Sequence, residues 1–166
     1  MSTDEEACPA ARLTVLTGPS GAGRGGVVEA VRARSPAVWV PVPVTTRAPR
    51  TGESDGVDRL FREPAEFDRM IAAGELLEWS RAGPYRRGTP RAPLIERLTR
   101  GRPVLLPLDP PGALVVHAAL PQSRLVLLLP PGHHPDPALA GLAARAVHHD
   151  HTERAAAELV GLLGSS

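Results

Sequence analysis

Gly18-Pro19-Ser20-Gly21-Ala22-Gly23-Arg24-Gly25 holds two glycines with four residues between them, just after the apolar run Leu13 to Leu16. It opens into Val27 to Arg34, whose valines suit one face of a helix. This is Walker A spacing in the context the motif requires, strand before and helix after. Such a loop holds phosphate with main-chain N–H groups that glycine lets converge, aided by the dipole of the helix N-terminus. Gly18, Pro19, Ser20, Gly21 and Gly23 are the expected phosphate contacts, and Arg24 supplies the charge. The side chains depart from the motif: Arg24 stands where it has Lys, and Gly25 where it has the Ser or Thr hydroxyl that holds Mg²⁺. A planar guanidinium does not take the compact position of an ammonium. No metal ligand is assigned, and Mg²⁺ belongs here only if the chain is active. A glycine-rich turn without a ligand is the plainer alternative.

A second set of charged residues follows. Arg47 and Arg50 lie three apart, and Arg59, Arg86 and Arg87 add guanidinium groups whose forks suit phosphate oxygens. A solvated charged surface is the alternative for all five. Glu78 and Asp109 are candidate hydrogen-bond acceptors, or else ion-pair or capping residues. Trp79, beside Leu76 and Leu77, is assigned to packing. His133, His134, His148, His149 and His151 are of a metal-ligating type. No Cys or H-E-x-x-H spacing accompanies them, so solvated histidines are expected.

These residues need a frame. Val104 to Leu108 and Leu125 to Leu129 are continuous apolar runs bounded by Gly and Pro, as in central strands of a parallel sheet covered on both faces. Val38 to Val44 carries Pro41 and Pro43 and reads as an edge strand or extended segment. Helices are expected at Glu66–Ala73, Leu94–Leu98 and Glu153–Leu163. Strands separated by helices make an α/β domain, and 166 residues suffice for one. The 19 basic residues, all Arg, stand against 18 acidic ones, so a non-specific nucleic-acid binder is excluded as a class. The absence of Lys and Asn suggests coding bias, a bland origin for Arg24. Residues 1–11 read as a polar leader containing the single cysteine, Cys8, and lacking the apolar core of a secretory signal. The longest aliphatic run, Leu125 to Leu129, is far short of the ~18 residues a membrane helix needs. A cytoplasmic protein without a membrane partner is expected.

Thr45 to Arg50, Gly52 to Asp58, Gly74 to Trp79 and Gly88 to Arg91 occur in an order that, with the Gly18–Gly21 loop and a strand ending at Asp109 before Gly112, closely resembles the guanylate kinase family. The resemblance covers about residues 12–131 and returns weakly near 148–163. It implies a P-loop nucleoside monophosphate kinase fold over 12–163: a parallel sheet flanked by helices, with a GMP-binding insert at 41–92. It further implies that Arg47 and Arg50 grip the GMP phosphate, that Glu53 steadies them, and that Glu78 accepts from the donor edge of guanine. Thr89 would touch the base, Asp109 would stand beside base and phosphates, and Arg24 with Asp109 would serve catalysis. Against the family pattern, Pro43 replaces a base-reading Ser, and Arg59, Arg86 and Arg87 replace tyrosines, adding charge to the phosphate cleft. Pro107 replaces an Asp.

Family members also carry an arginine-rich lid, and here a shortened region at 132–147 leads toward the last helix, so no lid is expected. Transition-state arginines can contribute on the order of 10³ to 10⁵ in rate. The reading that follows is a protein that binds GMP or a related phospho-ligand, with ATP and GMP as small-molecule partners and phosphotransfer weak or lost. An active ATP:GMP phosphotransferase is the first alternative. A module binding a phosphopeptide through the old GMP site is the second.

Overall fold

Leu13–Thr17 form a fully buried strand, β1, because five residues that can all face apolar neighbours suit the middle of a sheet covered on both sides. The structure is a computed structural model and describes residues 12–164 apart from Ser20 and Ala144. The expected leader at 1–11 lies outside the described residues. After β1 come α1 (Arg24–Arg34), β2 (Val44–Thr45), β3 (Leu60–Phe61), α2 (Pro64–Ala72), β4 (Leu76–Ala82), β5 (Tyr85–Pro90) and α3 (Arg91–Thr99). The chain continues through β6 (Val104–Pro107), α4 (Pro110–Ala119), β7 (Arg124–Leu129), α5 (Pro137–Ala140), β8 (Arg145–His148) and α6 (Thr152–Gly164). Packing divides it into two units, one running to Val40 and resuming at Arg97, the other spanning Pro41–Glu96.

In the first unit the sheet order is β6-β1-β7-β8, every pairing parallel. Register sets Leu13 against Val104 and Thr14 against Arg124. The core lies between this sheet and the pair α1 and α6: Leu16, Val27, Val28, Val31, Leu105, Val126, Val147 and Leu159 form one buried cluster. Full burial of each such aliphatic side chain contributes roughly 1.5–3 kcal/mol. Trp39 bridges to Val104, accepting from Leu105 N and donating to Pro103 O, both at 3.0 Å. Residues 40–43 then leave the sheet, since Pro41 and Pro43 cannot donate to a ladder.

Several elements differ from the sequence expectation. Pro110 and Pro111 occupy the first turn of α4, which Asp109 caps, so Asp-Pro-Pro starts a helix to which the sequence reading assigned no element. Arg145 to Val147, placed at the end of the shortened lid region, form most of β8 and pair with β7. Between β7 and β8 the described residues comprise a turn at Gly132 and the one-turn helix α5, anchored by buried Leu139. None of the described helices is long and apolar enough to cross a membrane.

The second unit carries a mixed sheet of order β3-β2-β5-β4. The β4–β5 hairpin sets Glu78 opposite Thr89, Trp79 opposite Gly88 and Ser80 opposite Arg87. Val44, Phe67, Met70 and Leu76 make its core, with Leu60 and Ile71 against them.

Candidate functional site

The glycine loop leaves the carboxyl end of β1, where ligands settle in open α/β sheets. Gly18 cannot carry a side chain, since a Cβ there would lie 2.2 Å from the Leu128 carbonyl oxygen. Ala22 N donates to Pro19 O at 3.0 Å, and Gly21 and Gly23 take φ of 83° and 82°, a region that strains other residues. Gly23 is also the N-cap of α1. Ser20 lies outside the described residues. Arg24 reaches across strand ends: its Nη1 donates to Leu108 O at 2.8 Å and to Gly18 O at 3.2 Å. Its charge therefore sits at the carboxyl ends of β1 and β6, fixed by main chain. At the position where the motif holds Mg²⁺ Gly25 offers no hydroxyl, and Asp109, which accepts from Gly112 N through Oδ1 at 3.0 Å, keeps its Oδ2 as a carboxylate oxygen that would suit the ion. Among the described residues no cluster of three or more His, Cys, Asp or Glu could hold a metal ion.

His149 is a loop residue the sequence reading missed. Expected in solvent with its neighbours, it is half-buried: Nδ1 meets Ala22 O, Nε2 meets Thr152 Oγ1 at 3.1 Å, and its ring lies over Gly23. His133, His134, His148 and His151 are exposed, as expected. The only signal for His149 in the sequence was its place just before the last helix.

In the second unit the polar residues gather on two structures. The first is the turn after β2. Arg47 forks onto Glu53, Nη1–Oε1 2.7 Å and Nη2–Oε2 2.8 Å, and Glu53 Oε1 also accepts from Arg50 N at 2.8 Å. The Arg47 hydrogen bonds, with that from Arg50 N, hold the Glu53 carboxyl down at about 2. The same pairing raises Arg47. Arg47 also lies 5.7 Å over the Phe61 ring. The Arg50 side chain is exposed, and Arg59 is half-buried.

The second structure is one face of the β4–β5 hairpin. Glu78 and Thr89 are both buried, and Thr89 Oγ1 donates to Glu78 Oε1 at 2.7 Å. Arg87 closes on the same carboxylate, Nη2–Oε1 2.9 Å and Nη1–Oε2 3.2 Å. Arg86, the next residue, points to the opposite face, as strand alternation demands. It pairs with Asp68 at 2.7 Å and stacks 4.6 Å from the Phe67 ring and 5.7 Å from Trp79. This corrects the expectation that Arg86 adds charge to a phosphate cleft: its charge is neutralised by Asp68 and it covers aromatic surface. Trp79 packs edge-on against Phe67 at 6.1 Å, in keeping with its packing assignment.

Arg47, Arg50, Glu53, Glu78 and Thr89 thus all belong to the Pro41–Glu96 unit, whereas Asp109, Arg24 and the glycine loop belong to the other. Asp109 acts as a helix cap and Glu78 as an ion-pair acceptor, the roles weighed against their ligand roles from sequence.

Comparison with known proteins bears on both units. The guanylate kinase family model matches residues 10–141. A protein of Thermobifida fusca named guanylate kinase is 54% identical over 120 residues, covering 72% of this chain and 61% of the relative. One from Nocardia farcinica is 51% identical over 136 residues, covering 81% of this chain and 69% of the relative. The chain therefore spans about three-fifths of the length of the first of these. The crystal structure of guanylate kinase from Anaplasma phagocytophilum superposes with a TM-score of 0.73 at 24% identity, over 91% of this chain and 83% of that one, a likeness of fold. A parallel sheet with a glycine loop at its carboxyl edge, a mixed-sheet unit bearing the arginines, and half-identical relatives over most of the chain lead to one conclusion: the chain belongs to the guanylate kinase family.

Proposed function

We propose that the chain acts on GMP as an ATP-dependent phosphotransferase, with the Pro41–Glu96 unit serving as the insert expected at 41–92. In this reading Arg47 and Arg50 hold the nucleotide phosphate, Glu53 fixes Arg47 in place, and Glu78 with Thr89 reads guanine. The Gly18–Gly23 loop holds ATP phosphates, with Arg24 and Asp109 at the carboxyl ends of the strands. The observation that carries it is the buried Glu78 carboxylate beside Thr89. A buried carboxylate asks for a two-donor partner, and guanine, unlike adenine, presents N1–H and an amino group on one edge. Half-identical relatives named guanylate kinase favour this reading over the impaired protein that the sequence departures suggested.

A second reading keeps GMP binding but little transfer. Arg24 donates to two carbonyls, Gly25 has no hydroxyl, and the described stretch between β7 and β8 contains no arginine before Arg145, which pairs with Glu158 on α6. ADP formation from Mg-ATP and GMP decides between the two. Turnover near the ~1 to 100 s⁻¹ usual for kinases supports the first. No turnover, with GMP still raising Tm, supports the second, and the Arg24→Lys, Gly25→Ser double variant then tests whether the loop alone is limiting. A Tm unmoved by GMP but raised by a phosphopeptide would replace both with a binding module.

A further inference from the structure

Arg87 and Glu78 meet in a geometry that bears on base recognition itself, and the argument rests on the GMP reading above. Glu78, Thr89, Ser80 and Arg87 share one face of the β4–β5 hairpin, as their register requires. The Arg87 guanidinium lies against the Glu78 carboxylate: Nη1 donates to Oε2 at 3.2 Å, and Nη2 lies 2.9 Å from Oε1 while donating to Thr89 Oγ1 at 3.4 Å. Guanine can offer the carboxylate two donors of its own, N1–H and the 2-amino group flanking C2.

We propose that Arg87 is an internal stand-in for guanine, a competitor for the Glu78 carboxylate: a base reaches Glu78 only by displacing the guanidinium. The two halves of the pair are unequally held. The Glu78 side chain is 1% exposed and fixed by Thr89, whereas Arg87 is 26% exposed on a flexible stem with solvent beside it. Arg87 is the half that moves. Displacement gives up an ion pair, so the incoming base must return donors to the carboxylate; guanine brings two, and hypoxanthine, with one donor on that edge, compensates less. Adenine presents a ring acceptor there and cannot replace the fork at all. The arrangement thus lowers affinity for GMP.

The test is calorimetric titration of GMP, IMP and AMP into the full chain and into Arg87→Met, with folding checked by thermal melting. GMP is expected to bind Arg87→Met about tenfold more tightly than wild type, since a charged competitor worth on the order of two neutral hydrogen bonds has gone. AMP should be unchanged. The gain should vanish when Arg87→Met is combined with Glu78→Gln, a result that a general loosening of the hairpin would not give. Arg87→Lys keeps the charge but loses the fork; it should show a smaller gain, and it carries the test if Arg87→Met does not fold. GMP affinity that is unchanged or weaker in the folded Arg87 variants overturns the stand-in role and leaves the GMP reading intact. No GMP binding by any folded form overturns the GMP reading and the proposal with it.

Discussion

Beside the glycine loop Arg24 donates to main-chain carbonyls, those of Gly18 and Leu108, whereas in the second unit Arg47, Arg86 and Arg87 each close on a carboxylate. The first arrangement is made of backbone: glycines at positive φ, a cap, and a close approach to Leu128 O. The second is made of side chains chosen in pairs. A phosphate loop built from backbone tolerates a change of side chain, which is how Arg24 and Gly25 fit the loop without disturbing it. In a paired site the cost depends on which half is lost, since removing one partner strands the other if that other is buried.

That contrast can be broken in order of expected effect. Gly18→Ala should be the most damaging change, since its Cβ meets backbone at 2.2 Å; a loss of about 3 kcal/mol is expected from overpacking, read as a lower urea midpoint. An unchanged midpoint would refute the view of the loop as a backbone device. Glu78→Ala leaves the Thr89 hydroxyl and the Arg87 fork without their acceptor, for a loss of about 2 kcal/mol and no guanine-dependent heat in calorimetry. Weaker still, Arg47→Ala should lower Tm more than Arg50→Ala, because Arg47 is bound to Glu53 and lies over Phe61 while Arg50 contributes to the turn through its N–H. Equal shifts would mean that the Arg47–Glu53 pair is ornamental. The double Ala variant should lose the GMP-induced shift.

Acid sharpens the same point. Glu53 ordinarily titrates near 4.5 and is held down to about 2 in the fold. A depressed acid stabilises the fold fully above its unfolded value and loses that contribution as pH falls through its folded one. Wild type should therefore exceed Glu53→Gln in Tm at pH 5, and the gap should close as pH falls from about 4.5 toward about 2. A gap that is constant across that range would detach Glu53 from the turn. The smallest effect has the opposite sign: Gly25→Ala meets nothing within 4 Å inside α1, so a gain of about 0.5–1 kcal/mol is expected from helix propensity.

Much of the first unit was legible because its elements are uniform. Buried parallel strands appear as apolar runs, so β1, β6 and β7 were found nearly to the residue, and the valines of α1 fixed its buried face. β8 was not legible, since Val147 is its one buried residue and four residues carry little period. The β4–β5 hairpin hid for another reason: Glu78 and Trp79 are neighbours on opposite faces, one polar and buried, the other aromatic, so apolar alternation never shows. For the site, residue types were readable and pairings were not. Arg86 and Arg87 were read together as cleft charge, though consecutive strand residues must part to opposite faces. That Arg87 shares a face with Glu78 depends on a register set across the hairpin, with an irregularity between Leu76 and Glu78.

The position of β1 between β6 and β7 has a consequence for synthesis. Leu13 pairs with Val104 and Thr14 with Arg124, so this apolar strand leaves the ribosome long before either neighbour exists. At translation rates of about 5–20 residues per second the wait is on the order of ten seconds. The strands of the second unit, by contrast, find all their partners between Val44 and Pro90. The nascent chain therefore can complete the ladders of the second unit while the strand that leads into the glycine loop is still unpaired.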